Sequence, residues 1–129
     1  MATECVLDAS AILAFVKHEP GRDAVAALIA DGAVSSINFA EVVSNLWNAG
    51  IASNDISELI DALPLNVVAA DRELAIDIGA LRPLTRAAGL SLGDRACLAL
   101  GRRLGLPIYT CDRAWSKVDL PGIVIHQIR

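Results

Sequence analysis

Short apolar runs alternate with helical segments along the whole chain, and this alternation restricts the fold more than any other feature. The sequence predicts strands at residues 5–7, 33–35, 66–69, 108–110 and 122–126. It predicts helices at about residues 11–16, 21–31, 38–49, 54–63, 71–81 and 91–104, with an irregular or weakly helical arm at 82–89. Strands that alternate with helices usually form a parallel sheet covered on both faces. We therefore expect an α/β fold of three layers, with a central, mostly parallel sheet of about five short strands flanked by helices.

The composition indicates one domain over residues 1–129. Of the 129 residues, 54% are hydrophobic and 20% are charged, which is enough apolar material for one core. No apolar run approaches the roughly 20 residues that a membrane helix needs, so no membrane association is expected. The mean hydropathy of +0.49 is high for a monomer. It predicts an apolar surface that a second copy or another protein covers, and we expect a homodimer.

The N-terminus and the cysteines predict a cytoplasmic protein. The stretch Met1-Ala2-Thr3-Glu4 has neither the basic start nor the apolar run of a signal peptide. The cysteines are odd in number, widely spaced and without a C-x-x-C pair. They indicate neither a disulfide framework nor a zinc ribbon, and we expect reduced thiols.

Charge is distributed unevenly along the chain. Residues 1–64 hold two basic and nine acidic side chains, which gives −7, whereas residues 65–129 hold nine basic and six acidic side chains, which gives +3. Most of the basic groups are arginines. A surface that binds phosphate is therefore compatible with the overall charge of −4, although a place on a solvated helix face is the simpler explanation for any one arginine.

Four acidic residues follow the predicted strands or open the predicted helices: Asp8, Glu41, Asp94 and Asp112. The carboxyl ends of parallel strands meet at one edge of a sheet, which is where open α/β sheets bind ligands. Asp8, Glu41 and Asp112 are placed at this edge by the strands that precede them. Asp94 follows a loop, so its position there is inferred less directly.

Each of these acids also has a structural explanation. Asn38-Phe39-Ala40-Glu41 and Ser91-Leu92-Gly93-Asp94 have the spacing of a capping box, and Asp8 or Asp112 could cap a following turn. Helix caps would not need to gather at one edge of the sheet, however. Two carboxylates about 4 Å apart repel each other by roughly 4 kcal/mol at an effective dielectric near 20. Their clustering therefore predicts a site for divalent cations such as Mg²⁺ or Mn²⁺, which prefer oxygen ligands.

Four motifs in a fixed order resemble those of PIN domains, and within them the ribonuclease toxins of the VapBC toxin–antitoxin type. They cover essentially the whole chain: Val6-Leu7-Asp8-Ala9-Ser10, Ala40-Glu41-Val42, Leu90-Ser91-Leu92-Gly93-Asp94-Arg95-Ala96 and Tyr109-Thr110-Cys111-Asp112-Arg113-Ala114-Trp115. The resemblance implies a PIN-like fold and a metal-dependent endoribonuclease that hydrolyses RNA phosphodiesters. It implies that the four acids bind one or two Mg²⁺ or Mn²⁺ ions, and that Ser10 and Thr110 orient a carboxylate or a water molecule.

The same resemblance implies two partners. The substrate would be single-stranded or looped RNA, and we take Arg82, Arg86, Arg95 and Arg113 as candidates for phosphate contacts. The other partner would be a cognate antitoxin protein, whose basic side chain could enter the acidic pocket. Trp47 and its apolar neighbours could belong to that interface, to a homodimer surface or to the core.

Other phosphate-processing classes fit the sequence less well. A receiver domain needs paired acids after its first strand, and haloacid-dehalogenase-like phosphatases need D-x-D, whereas this chain has Asp8-Ala9-Ser10. No G-x-x-x-x-G-K-[ST] phosphate loop occurs. The remaining alternative is a catalytically inactive PIN-like module that binds RNA or protein.

Overall fold

The central element of the computed structural model, which describes residues 3–129, is a five-stranded parallel sheet. Its strands are β1 (Cys5–Leu7), β2 (Gly32–Ser35), β3 (Asn66–Val68), β4 (Ile108–Thr110) and β5 (Ile125–Gln127). They lie in the order β3-β2-β1-β4-β5, and every adjacent pair is parallel. The strand order reverses between β1 and β4, and ligands of open α/β sheets bind in the crevice at such a reversal.

Helices cover both faces of the sheet, as the sequence predicts. Within residues 3–129 there are seven α-helices: α1 (Ala9–Val16), α2 (Arg22–Leu28), α3 (Ser36–Asn48), α4 (Ser53–Ala62), α5 (Arg72–Ala80), α6 (Arg82–Thr85) and α7 (Leu92–Leu104). Two 3-10 helices, Ile29–Asp31 and Arg113–Lys117, complete the described elements. None of the helices in this described part of the chain is both long and apolar enough to cross a membrane.

Two apolar cores lie on opposite faces of the sheet because successive strand residues point to opposite sides. In β1, Val6 packs into one core with α5 and α7, whereas Cys5 and Leu7 pack into the other core with α1, α3 and α4. The strands β1 and β2 are buried throughout, whereas β3 and β5 form the more exposed edges. This three-layer α/β arrangement confirms the predicted fold class.

Several element boundaries differ from the sequence prediction, most of them by one or two residues, and the last strand shifts further. Helix α3 begins at Ser36 rather than at Asn38, because the Ser35 side chain caps it by accepting a hydrogen bond from the backbone N–H of Asn38. The last strand spans Ile125–Gln127 rather than residues 122–126, and the segment Arg113–Lys117, for which no element is predicted, is a 3-10 helix. Met1 and Ala2, which belong to the N-terminal stretch without signal-peptide character, lie outside the described residues.

Candidate metal centre

Asp8 lies at the carboxyl end of β1 and is the most enclosed of the four acids, with 4% of its surface exposed. Its Oδ1 accepts hydrogen bonds from the Ala11 backbone N–H at 2.9 Å and the Ser10 hydroxyl at 2.7 Å. Its Oδ2 accepts a hydrogen bond from the Thr110 hydroxyl at 2.6 Å. Asp8 therefore caps α1, as one sequence interpretation predicts, and is held rigidly between β1 and β4.

The environment of Asp8 disfavours its charged form. Burial raises the pKa of this carboxyl to about 6, against the hydrogen bonds from Thr110, Ala11 and Ser10, which lower it; the negative charge of Asp94 raises it further. Among the described residues, no lysine or arginine is a cause that lowers this pKa. A buried carboxylate without a cationic partner is costly, so this position favours the binding of a positive ion.

The hydroxyl groups of Ser10 and Thr110 connect Asp8 to the loop after β4. Ser10 Oγ accepts from the backbone N–H of Cys111 at 3.0 Å, and Thr110 Oγ1 accepts from that of Asp112 at 2.9 Å. The two hydroxyl oxygens lie 3.4 Å apart. Because each hydroxyl also donates to Asp8, together they fix the carboxylate and the start of the loop that carries Asp112.

Asp112 caps the 3-10 helix Arg113–Lys117. Its Oδ1 accepts a hydrogen bond from the backbone N–H of Ala114 at 2.9 Å. The residue is half-buried and follows β4, which is the strand beside β1. Asp112 therefore lies at the same edge of the sheet as Asp8.

Glu41 approaches the site from α3, the helix that follows β2. Its Oε1 accepts a hydrogen bond at 2.9 Å from the side-chain amide of Asn38, and the same amide donates to the carbonyl oxygen of Gly93 at 2.8 Å. The predicted capping box between Asn38 and Glu41 is wrong, because Ser35 is the cap and Asn38 lies inside the helix. The Glu41 carboxylate packs directly against Gly93, where a Cβ atom would collide with it.

Asp94 lies in the first turn of α7 and is half-buried. Its Oδ2 accepts from the Ser91 backbone N–H at 2.9 Å, and its own N–H donates to Ser91 Oγ at 3.2 Å. This is the capping box predicted from the sequence. The start of α7 meets α3 at the contact between Gly93 and Glu41, which places Asp94 beside the edge that carries the other acids.

Three of the acids lie close enough to Cys97, a fully buried residue of α7, to affect the pKa of its thiol. Its pKa is raised mainly by burial and also by the negative charges of Asp8, Asp94 and Glu41. Within residues 3–129, the second carboxylate oxygens of Glu41, Asp94 and Asp112 accept no hydrogen bond. Capping and ligand binding are therefore compatible, because each of these acids uses one oxygen for local structure and has a second that accepts no hydrogen bond from the described residues.

The donor set suits Mg²⁺ or Mn²⁺, which are bound by a few carboxylate oxygens and retain several waters. In their present side-chain positions, no three His, Cys, Asp or Glu residues of the described chain are arranged to hold one ion. The residues fit such an ion by charge, by oxygen chemistry and by the space that Gly93 leaves for Glu41.

The candidate phosphate-binding arginines occupy two different environments. Arg82, Arg86 and Arg113 are exposed. Arg95 is only 9% exposed, and its Nη1 donates to the carbonyl oxygen of Ile78 at 3.1 Å. The guanidinium of Arg95 therefore lies inside the protein, which argues against the predicted contact with phosphate.

Asn38 and Gly93 are site residues that the sequence analysis did not identify. Asn38 is 2% exposed and contacts both an acid and the helix that carries another acid. The only available signal is that each lies within three residues of a candidate acid. Their contact joins residues 55 positions apart, which no local pattern reveals.

Comparisons with known proteins identify the family and the fold of this chain. A family model described as the PIN domain matches residues 5–120, a span that includes all four acids. No match was found among curated proteins.

Three solved structures share the fold at low sequence identity. A chain of the DNA-bound VapBC structure from Salmonella typhimurium is 20% identical, with a TM-score of 0.78 and coverage of 100% of both chains. A chain of VapBC2 from Rickettsia felis, bound to a promoter DNA fragment, is 15% identical, with a TM-score of 0.75 and coverage of 95% of this chain and 97% of that chain. VapC20 from Mycobacterium tuberculosis, a toxin that cleaves the sarcin-ricin loop, is 16% identical, with a TM-score of 0.71 and coverage of 88% and 93%. These structures support the fold, and the family model shows that this chain belongs to the PIN domain family.

Proposed function

We propose that this chain is a single-domain, divalent-metal-dependent endoribonuclease that acts as the toxin of a type II toxin–antitoxin pair in the cytoplasm. The observation that carries the proposal is the buried Asp8 carboxylate, which experiences the negative charge of Asp94 and forms no salt bridge within residues 3–129. A cation would remove the repulsion that this arrangement otherwise maintains. The similarity in fold to VapC20, a sarcin-ricin loop cleaving toxin, supports RNA as the substrate.

The proposed chemistry is hydrolysis without a covalent enzyme intermediate. Mg²⁺ or Mn²⁺, when bound, would supply a positive charge that lowers the pKa of a water molecule and stabilises the charge of the transition state. Asp8 is held in place for this role by Ser10 and Thr110, so its carboxylate needs little reorganisation. Glu41, Asp94 and Asp112 would offer their second oxygens to the same ion or to its water ligands.

The substrate would be RNA in a single-stranded or looped form. Such RNA can bring its backbone to an acid-lined edge of the sheet, which a regular duplex cannot do easily. The exposed Arg82, Arg86 and Arg113 are the side chains proposed to hold its phosphates. They are supplied by the half of the chain that carries the positive charge.

An antitoxin is the proposed protein partner, in keeping with the fold's similarity to chains of VapBC structures. Large apolar side chains are exposed on the helices that carry candidate acids. Trp47 on α3 is 55% exposed, and Leu92 at the start of α7 is 56% exposed. A protein that covers these side chains could place a basic residue against the acids and compete with the metal. A homodimer is also proposed, because apolar surface remains on several other elements.

The proposal is tested by incubating the purified chain, free of antitoxin, with RNA in Mg²⁺, Mn²⁺ or EDTA. We expect internal cleavage with either metal and none with EDTA. An Asp8→Asn preparation, purified in parallel, controls for contaminating nucleases. Equal cleavage by the two preparations would contradict the assignment, and binding of RNA without cleavage of any RNA tested would favour the inactive binding module.

A further inference from the structure

The side chain of Asn38 forms a hydrogen-bonded link between Glu41 and the backbone of α7. Its amide nitrogen donates one hydrogen bond to Glu41 Oε1 at 2.9 Å and another to the Gly93 carbonyl at 2.8 Å. Its amide oxygen accepts from the Ser35 hydroxyl at 2.6 Å. Ser35 ends β2, so the hydrogen bonds run from the sheet through α3 to the residue before Asp94.

The chemistry of these contacts fixes the orientation of the amide. Its two acceptors, a carboxylate and a carbonyl, both require the nitrogen, whereas the hydroxyl can serve the oxygen. The fold removes the amide from solvent, since only 2% of Asn38 is exposed. The amide therefore uses both of its N–H donors and one of the two lone pairs of its oxygen. The side chain has little freedom to rotate as a result.

A neutral donor suits a site that must retain its negative charge. A lysine or arginine at this position would hold Glu41 equally well, but its positive charge would compete with a divalent cation. The Asn38 amide orients the carboxylate without neutralising it. It also leaves Oε2 of Glu41 without a hydrogen bond from the described residues.

We infer that Asn38 is a positioning residue, which fixes the spacing between Glu41 and the start of α7 and so prepares two of the acids for one cation. This inference rests on the proposed metal-dependent function. Partners that orient metal ligands typically change metal affinity by roughly 10- to 100-fold when they are mutated. Asn38 acts through Glu41, and its effect therefore depends on the Glu41 carboxylate.

The inference is tested by calorimetric titration of Mn²⁺ into four full-length proteins: wild type, Asn38→Ala, Glu41→Gln and the double variant. We expect Asn38→Ala to weaken Mn²⁺ binding about tenfold or more. In the Glu41→Gln background the same change should have little further effect, which is the signature of two residues that act together. Asn45→Ala is a matched control on α3, because the Asn45 side chain contacts only the exposed Lys17 among the hydrogen bonds described.

Melting curves in EDTA separate a loss of folding from a loss of positioning. If Asn38→Ala does not fold, Asn38→Ser replaces it, since serine keeps a hydroxyl but is too short to reach both Glu41 and Gly93. Two results would overturn the inference: unchanged Mn²⁺ affinity in a folded Asn38 variant, or an equal loss of affinity in the wild-type and Glu41→Gln backgrounds. In either case, binding of Mn²⁺ by the wild type would leave the proposed function standing. Absence of Mn²⁺ binding by the wild type would overturn both.

Discussion

Asp8→Asn should make the metal-free protein more stable at neutral pH while it removes nuclease activity. The wild-type carboxyl has a pKa raised to about 6 by burial, so its ionisation at pH 7 or above opposes folding. Each pKa unit corresponds to about 1.4 kcal/mol of free energy. The difference between the pKa of Asp8 and that of an ordinary aspartate therefore lowers the free energy of unfolding by roughly 3 kcal/mol at neutral pH. Asparagine caps a helix as well as aspartate does, so the cap of α1 should survive.

The pH dependence of this effect has a definite sign. Well below pH 4 the carboxyl is protonated in both the folded and the unfolded chain, and its ionisation costs the fold nothing. Between about pH 4 and 6 the unfolded chain loses its proton first, so the wild type loses stability as the pH rises, and the loss is complete above the folded pKa. The asparagine side chain of the variant does not titrate. The stability advantage of Asp8→Asn should therefore grow from pH 4 to pH 7.

Urea unfolding of both proteins in EDTA between pH 4 and pH 8 measures this effect. A stability difference between the two proteins that does not change with pH, or a variant that is less stable at pH 8, would show that burial does not disfavour the ionised form of Asp8. Loss of stability in exchange for function is common at sites that bind charged ligands.

Gly93→Ala should reduce RNA cleavage and Mn²⁺ affinity by roughly 10- to 100-fold without destabilising the fold. An ideal Cβ at Gly93 would lie 2.6 Å from the carboxyl carbon of Glu41, which must then move away. Glu41 is an exposed residue, so its side chain can turn into solvent at little cost. Alanine favours a helix over glycine by up to about 1 kcal/mol, which would offset that cost.

Gly79→Ala is the matched control for this change. Gly79 lies in α5, and a Cβ at that position meets no atom within 4 Å. We expect its activity to equal that of the wild type and its melting temperature to be equal or higher. Full cleavage by Gly93→Ala would show that the position of Glu41 against α7 does not matter for function.

Local patterns in the sequence are sufficient to predict the strands of the central sheet. The strands at residues 5–7 and 108–110 are confirmed at both ends, because short apolar runs are bounded there by turn residues. The predicted start of α3 is wrong because Ser35 and Asn38 are both good caps, and only the end of β2 decides between them. The shift of the last strand to Ile125 has a similar cause, since its pairing with Ile108 depends on the neighbouring strand.

The site is predictable only where it depends on strand ends. Asp8 and Asp112 follow adjacent parallel strands, so their common edge follows from the topology. The approach of Glu41 to Gly93 depends on how α3 packs against α7, and the sequence carries no local sign of it. The burial of Arg95 is unpredictable for the same reason. Its place in α7 turns its side chain toward the Ile78 carbonyl of α5 rather than toward solvent.

The four acids are proposed to share a divalent cation, and an Mn²⁺-soaked crystal of this chain tests this proposal most directly. The anomalous difference map should show a peak between the carboxyl ends of β1 and β4, with a carboxylate oxygen of Asp8 at roughly 2 Å, the length of a bond from a small divalent ion to oxygen. Carboxylate oxygens of Glu41, Asp94 or Asp112 should complete its surroundings. A peak elsewhere, or none near Asp8 when the soak is saturating, would contradict the account.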